Sequence, residues 1–344
     1  MTSWGGSAII ERSTHAVKVF PGHPVMNQHL RRPVASRRSH RSAIYALLCL
    51  IAVSCASARS APDHVLQSSG SRTAASSARG TLFIVGGGPQ APALVQEFVT
   101  LAGGPGRAKI IVFAMASSDG ATSGEEKARD LRALGATALN VFVNHDQANT
   151  DSVAHLLDGV TGIWFGGGDQ LLLAKALRGT KTERAMHERY AAGAVIGGTS
   201  AGAAVMSAAM ITGDERRPGG DRPDTTTGFM TIARDNIIIA DGFAFLDDAI
   251  VDQHFLRRKR HNRLMSLVIE RAPHLGVGID ESTAIIVEPD GQWRVAGASA
   301  AVVYDARRSA TTSPGATLGA TGIMVHVLPA GSRFDPRTGD ARLP

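Results

Sequence analysis

Cysteine is nearly missing from this chain: two in 344 residues, Cys49 and Cys55, both close to the N-terminus. A body cleaved after Ala58 would have none, which excludes a disulfide framework, a cysteine nucleophile and a cysteine-ligated metal. Aromatic residues are scarce at 5% while glycine numbers 38, a balance that suits a loop-rich α/β protein better than a β-sandwich. An excess of one charge sign is missing too, although the formal net charge is +6. Residues 1–58 hold seven of the 36 Lys/Arg and one of the 30 Asp/Glu, leaving 29 of each in the rest. The body is formally neutral, so nucleic acid and anionic membrane surfaces are not expected partners. There is no H-E-x-x-H and no dense His/Asp cluster. Asp252 and His254 with His261 or Asp169 make too sparse a ligand set, and no metal or other cofactor is expected.

The N-terminal segment reads as an export signal. Basic residues from Arg31 to Arg41 precede the apolar run Ile44–Val53, and Ser54-Cys55-Ala56-Ser57-Ala58 follows. The run is too short to span a bilayer and has the layout of a signal peptide with an A-x-A-type cleavage site. Met26 is an alternative start. Ala52-Val53-Ser54-Cys55 is a weak lipoprotein box, which makes a lipid anchor on Cys55 the alternative to a soluble periplasmic or extracellular protein. The Ser/Ala/Arg-rich, aperiodic residues 59–79 read as a disordered linker.

From Gly80 to residue 340 short apolar runs alternate with helical stretches, as expected of one α/β domain. Strands are predicted at Thr81–Val85, Lys109–Phe113, Ala138–Val143, Gly162–Phe165 and Ala194–Ile196, with helices between them. This pattern predicts a parallel sheet sandwiched by helices. Gly-rich turns follow Val85, Phe165 and Ile196, and ligands in such sheets bind outside the carboxyl ends of strands. The polar stretch Thr212–Asn236 is long for a connection and predicts a flap or mobile loop. Arg257–Glu270 predicts a basic helix, and beyond Gly276 a β-hairpin region closes the chain.

Gly198-Thr199-Ser200-Ala201-Gly202 is a G-x-S-x-G sequence between a strand and the small-residue run Ala203–Met210, which predicts a buried helix. In that setting the serine is held at the tip of a sharp turn, where the Ala201 amide and the helix N-terminus face an oxyanion. A hydroxyl attacks only when a base takes its proton and an acid orients that base. His254, where a strand ends, is the best base, and His261 and His274 read as solvated. Glu281, again at a strand end, is the best acid, with Asp280 and Asp252 competing. The order Ser…His…acid departs from the Ser…acid…His of α/β-hydrolases. All three residues are expected on one strand-end rim. Arg258, Arg260 and Arg263 follow closely. Arg260 and Arg263 are three apart on the predicted helix, and guanidinium forks suit a carboxylate-bearing substrate.

At these residues the chain resembles the serine peptidase family of cyanophycinases and peptidase E, the α-aspartyl dipeptidase. Gly80–Gly88, Trp164–Gln170, Gly198–Ala203, Asp252–Leu264, Asp280–Thr283 and Val325–Asp335 carry the likeness. The resemblance implies a fold like class I glutamine amidotransferases, flavodoxin-like in layout, and a homodimer. It implies Ser200 as nucleophile, His254 as base then acid, and Glu281 as orienter. Gly167, Gly168 and Ala201 would supply oxyanion amides. Gln170, Asp252, Gln253, Arg258, Arg260 and Arg263 would line the substrate pocket, with Asp169, Asp252 or Asp280 facing a guanidinium. The implied substrate is cyanophycin, a poly-aspartate bearing arginine on each side-chain carboxyl, or another β-aspartyl peptide, hydrolysed at β-aspartyl linkages to β-Asp-Arg. Pro89-Gln90 departs from the family, which often carries an acidic residue there. An α-aspartyl dipeptidase and a catalytically silent exported peptide-binding protein are the alternatives.

Overall fold

In the computed structural model, residues 79–216, 222–223, 231–312, 315, 317–344 are described. The segments expected as export signal and linker, up to residue 78, and most of 217–230 lie outside them. Strands β1 (Thr81–Val85), β2 (Lys109–Phe113), β3 (Thr137–Asn140), β4 (Gly162–Phe165) and β5 (Val195–Thr199) pair in the order β1-β5-β4-β2-β3, all parallel. On the far side of β1 the sheet turns antiparallel, through Thr283–Val287, Trp293–Gly297, Arg333–Phe334 and Ala341–Arg342. β1 therefore sits where the parallel half meets the antiparallel half. Its residues are buried throughout, with Leu82 and Ile84 in one apolar cluster and Phe83 and Val85 in another. Both faces of a doubly covered sheet must be apolar, which is why the strand reads as an unbroken hydrophobic run.

The C-terminal hairpin region is divided between two sheets. A second sheet has the order Met324–Pro329, Ala300–Asp305, Leu275–Ile279, Ile250–Gln253, and its last two strands run parallel. Helix His261–Glu270 covers it, burying Leu264, Leu267 and Val268 against Phe255 and Tyr304. A third, small sheet pairs Ala209–Glu215 with Ile237–Asp241.

Two expectations change. The run Ala203–Met210 does not continue as a helix: only Ala201–Ala204 is helical, and Ala209–Glu215 is a strand. Residues 205–208 bond across to 242–246 instead, with Phe243 N donating to Val205 O at 2.6 Å and Ala208 N to Leu246 O at 3.0 Å. Gly242 permits this approach, since a Cβ there would lie 2.0 Å from Ser207 O. Tertiary pairing has overridden alanine's helix preference. The predicted helix Arg257–Glu270 begins only at His261, so Arg258 lies in a turn and Arg260 at the cap.

Candidate active site

The site forms around the turn that ends β1. Ser200 follows β5 with φ 55° and ψ −112°, a conformation costly for a residue with a Cβ. The two flanking glycines make it possible: a Cβ on Gly198 would meet Gly202 O at 2.4 Å, and one on Gly202 would meet Phe165 O at 2.2 Å. His254 follows the strand Ile250–Gln253, also at positive φ, 49°. Glu281 lies just beyond the parallel neighbour of that strand, Leu275–Ile279. Sequence alone places the three on the rim of one sheet. The structure takes Ser200 from the main sheet and the other two from the second.

Gly86-Gly87-Gly88 joins those two sheets. Ser200 N donates to Val85 O (3.1 Å), His254 N to Gly86 O (2.6 Å) and Ser282 N to Gly87 O (2.8 Å). A Cβ on Gly87 would lie 2.3 Å from His254 Cε1, and one on Gly88 would lie 2.7 Å from Glu281 Cβ. The imidazole and carboxylate thus rest directly on bare backbone. The sequence marks this turn as glycine-rich but gives no sign that it forms the bed for the base and its acid.

On that bed Ser200 Oγ lies 2.8 Å from His254 Nε2, and His254 Nδ1 lies 2.7 Å from Glu281 Oε1. With Nδ1–H donating to the carboxylate, Nε2 accepts the hydroxyl proton. Of the competing acids, Asp280 accepts from Arg257 N (2.9 Å) and Ser299 Oγ (2.8 Å), and Asp252 is fully buried against Arg263. Among the described residues, no group of three or more His, Cys, Asp or Glu is arranged to hold a metal.

His254 is only 8% exposed. Burial lowers its pKa below the usual histidine value, the hydrogen bond that Nδ1–H donates to Glu281 opposes that, and the Arg258 and Arg260 charges lower it further. Its neutral, proton-accepting form therefore persists to lower pH than in a free histidine. The acid limb of kcat/KM is expected below about pH 6.5, with a flat profile above it. Arg258→Ala, which removes a charge that disfavours imidazolium, should move the limb upward. A limb unmoved in the variant, or lying above the free-histidine value in the wild type, would contradict this electrostatic account.

A cavity of about 420 Å³ opens beside Ser200. Gly168 lines it, and the Gly167 backbone lies against Ser200, where a Cβ would stand 3.5 Å from Ser200 Cβ. The helix after Ala201 is a single turn, so any oxyanion help from it rests on the Ala201 amide and little on a macrodipole. Of the expected pocket residues, Asp169, Gln170, Gln253, Arg258 and Arg260 line the cavity. Gln170 is held by Ile211 O (2.7 Å) and Thr212 O. Arg260 Nη1 donates to both Gln253 O and Gln253 Oε1 at 2.7 Å. Asp252 and Arg263 do not line it: they pair with each other, 0% and 1% exposed. A larger hollow of about 540 Å³ lies between Phe142–Gln147 and the helix Gln170–Leu177, with no hydroxyl or thiol on its walls.

Sequence reading missed two features. Lys127 Nζ donates to Gln90 Oε1 (2.7 Å) and stands 4.4 Å from the Trp164 ring centroid, and Gln90 Nε2 donates to Thr199 Oγ1 (3.1 Å), the residue before Ser200. Burial pulls the Lys127 pKa down to about 8. Gln90 is thus a brace for the serine turn. The other feature is Asp214, a cavity residue within the stretch read as a loop.

A serine at a strained strand-to-helix elbow, with a histidine and a carboxylate aligned behind it on an α/β sheet, is the arrangement of side chains found in serine hydrolases. The chain belongs to peptidase family S51, whose sequence profile matches residues 82–294. It is similar to a cyanophycinase of Trichormus variabilis, 31% identical over 239 residues, covering 67% of this chain and 76% of that protein. A cyanophycinase of Geminocystis herdmanii is 30% identical over 271 residues, covering 76% of this chain and 95% of that protein. In fold the chain resembles the crystal structure of a peptidase from an acI-B1 Actinobacterium, with TM-score 0.55 and 20% identity over 75% of this chain and 97% of that one.

Proposed function

We propose that this S51 peptidase is a cyanophycinase-type enzyme that hydrolyses arginine-bearing poly-aspartate through an acyl-enzyme. The observation that carries the reading is the hydrogen-bonded run Ser200–His254–Glu281 at the mouth of a cavity lined by both carboxylates and guanidiniums. Ser200 Oγ attacks the scissile carbonyl carbon while its proton passes to His254 Nε2. The oxyanion faces the amides of Ala201 and of Gly167 or Gly168, and the imidazolium, stabilised by Glu281, gives its proton to the departing amine. Water then repeats the sequence on the ester, returning Ser200 and freeing a carboxylic acid.

Bond accounting corrects one expectation. A β-Asp-Arg product has kept its β-aspartyl isopeptide bond, so the bond cut must be the main-chain amide between successive aspartates. Cutting the β-linkage would release free arginine instead. We place the enzyme outside the cytoplasm because of its basic, apolar and small-residue N-terminal segment, Arg31–Ala58.

The test is to incubate the purified protein with cyanophycin and with α- and β-aspartyl dipeptides, and to identify the products by mass. β-Asp-Arg from the polymer is the expected result. Turnover confined to free α-aspartyl dipeptides would replace this reading with a peptidase E-like one. No turnover, with Ser200 unreactive to a fluorophosphonate probe, would leave only a binding protein.

A further inference from the structure

The cavity beside Ser200 presents two charged groups of opposite sign that have no hydrogen-bond or ion-pair partner among the described residues. One oxygen of Asp169 caps the helix Gln170–Leu177 by accepting from Leu171 N at 2.8 Å. Arg260 is engaged with Gln253. Asp214 and Arg258 differ: both line the cavity, and among the described residues neither side chain enters an ion pair or a hydrogen bond. Asp214 is half-buried on the strand Ala209–Glu215, with the bare backbone of Gly213 beside it, and Arg258 is exposed in the turn after His254. A ligand of one charge sign would satisfy one of these groups and leave the other repelled or unpaired.

We propose that Asp214 is a specificity-determining residue that receives the guanidinium of the substrate's arginyl group, while Arg258 receives that group's free carboxylate. This rests on the peptidase reading above and adds to it how the arginyl group is read. Carboxylate and guanidinium match as two-pronged partners. The arginyl branch carries both charges on one short chain, so a wall offering both complements is neutralised only by such a zwitterion. Bare poly-aspartate pairs with Arg258 but faces Asp214 with like charge, so Asp214 also rejects it. A neutral isostere of arginine strips water from Asp214 without replacing it by a cation, which an acceptor left short of its partner penalises.

The experiment compares two synthetic oligomers of β-linked Asp-Arg units, one with arginine and one with citrulline, its uncharged isostere. Each is assayed with the wild-type protein and with Asp214→Asn. Wild type should favour arginine by about 10–100-fold in kcat/KM, the range for a charge-assisted hydrogen bond. In Asp214→Asn that ratio should fall to near one, and Asp214→Glu should restore part of it. The ratio is internal to each protein, so any loss of folded material cancels. A full arginine preference surviving in Asp214→Asn, or no preference in wild type, would overturn the assignment while leaving the peptidase reading intact. Wild type that cleaves neither oligomer would overturn both.

Discussion

Ser200→Ala is expected to lower kcat/KM for the polymer by about 10⁴–10⁶-fold, the range seen when a serine hydrolase loses its nucleophile. The hydroxyl is the group within hydrogen-bond reach of His254 Nε2, at 2.8 Å. The adjacent Thr199 hydroxyl is engaged with Gln90 instead. What remains in the variant is the cavity and the amides around Ala201, which can still bind substrate and polarise a carbonyl, so KM should change far less than kcat. Stability should change by no more than about 1 kcal/mol. One small polar group is removed at a half-buried site, and alanine meets the same positive-φ strain that serine already bears. Turnover measured at matched concentrations, beside a thermal melt, separates chemistry from folding. Activity within tenfold of wild type would remove Ser200 from the mechanism.

The parts of this site that could be read from sequence are those fixed by near neighbours. Thr81–Val85 and Gly162–Phe165 announce themselves because strands buried on both faces need continuous apolar runs. The serine elbow is written in the five residues Gly198–Gly202, since its geometry depends on which of them lack a Cβ. His254 and Glu281 stood out because each follows a strand. The errors arise where partners are remote in sequence. Nothing local says that Ala209 pairs with Asp241 rather than continuing a helix. Nothing local says that the carbonyls of Val85, Gly86 and Gly87 tie the backbone of residues 200, 254 and 282 together. The arginines misled for a different reason. Spacing shows which side chains could share a helix face, but the helix starts one residue after Arg260, and a buried carboxylate eleven residues upstream had already engaged Arg263.

That last pairing yields the second large effect, Arg263→Met. Arg263 Nε donates to Asp252 Oδ2 at 2.7 Å and Nη2 donates to Oδ1, both side chains being shut from water. The pair joins the strand Ile250–Gln253 to the helix His261–Glu270, and Asp252 lies two residues before His254. Removing Arg263 leaves Asp252 with the more distant Arg260 Nη1, 3.9 Å away, as a counter-charge, a weaker match for a buried carboxylate that costs about 3–5 kcal/mol. For a domain of this size that lowers Tm by roughly 6–20 °C. Replacing both, as Asp252→Leu with Arg263→Met, should recover part of that loss, because two apolar groups in place of a matched pair leave no stranded carboxylate. A substrate-binding role predicts the opposite pattern: an unchanged Tm, a raised KM, and no rescue by the double variant. Melting curves of the two variants beside their KM values decide between these roles. A single variant as stable as wild type would return Arg263 to the substrate pocket.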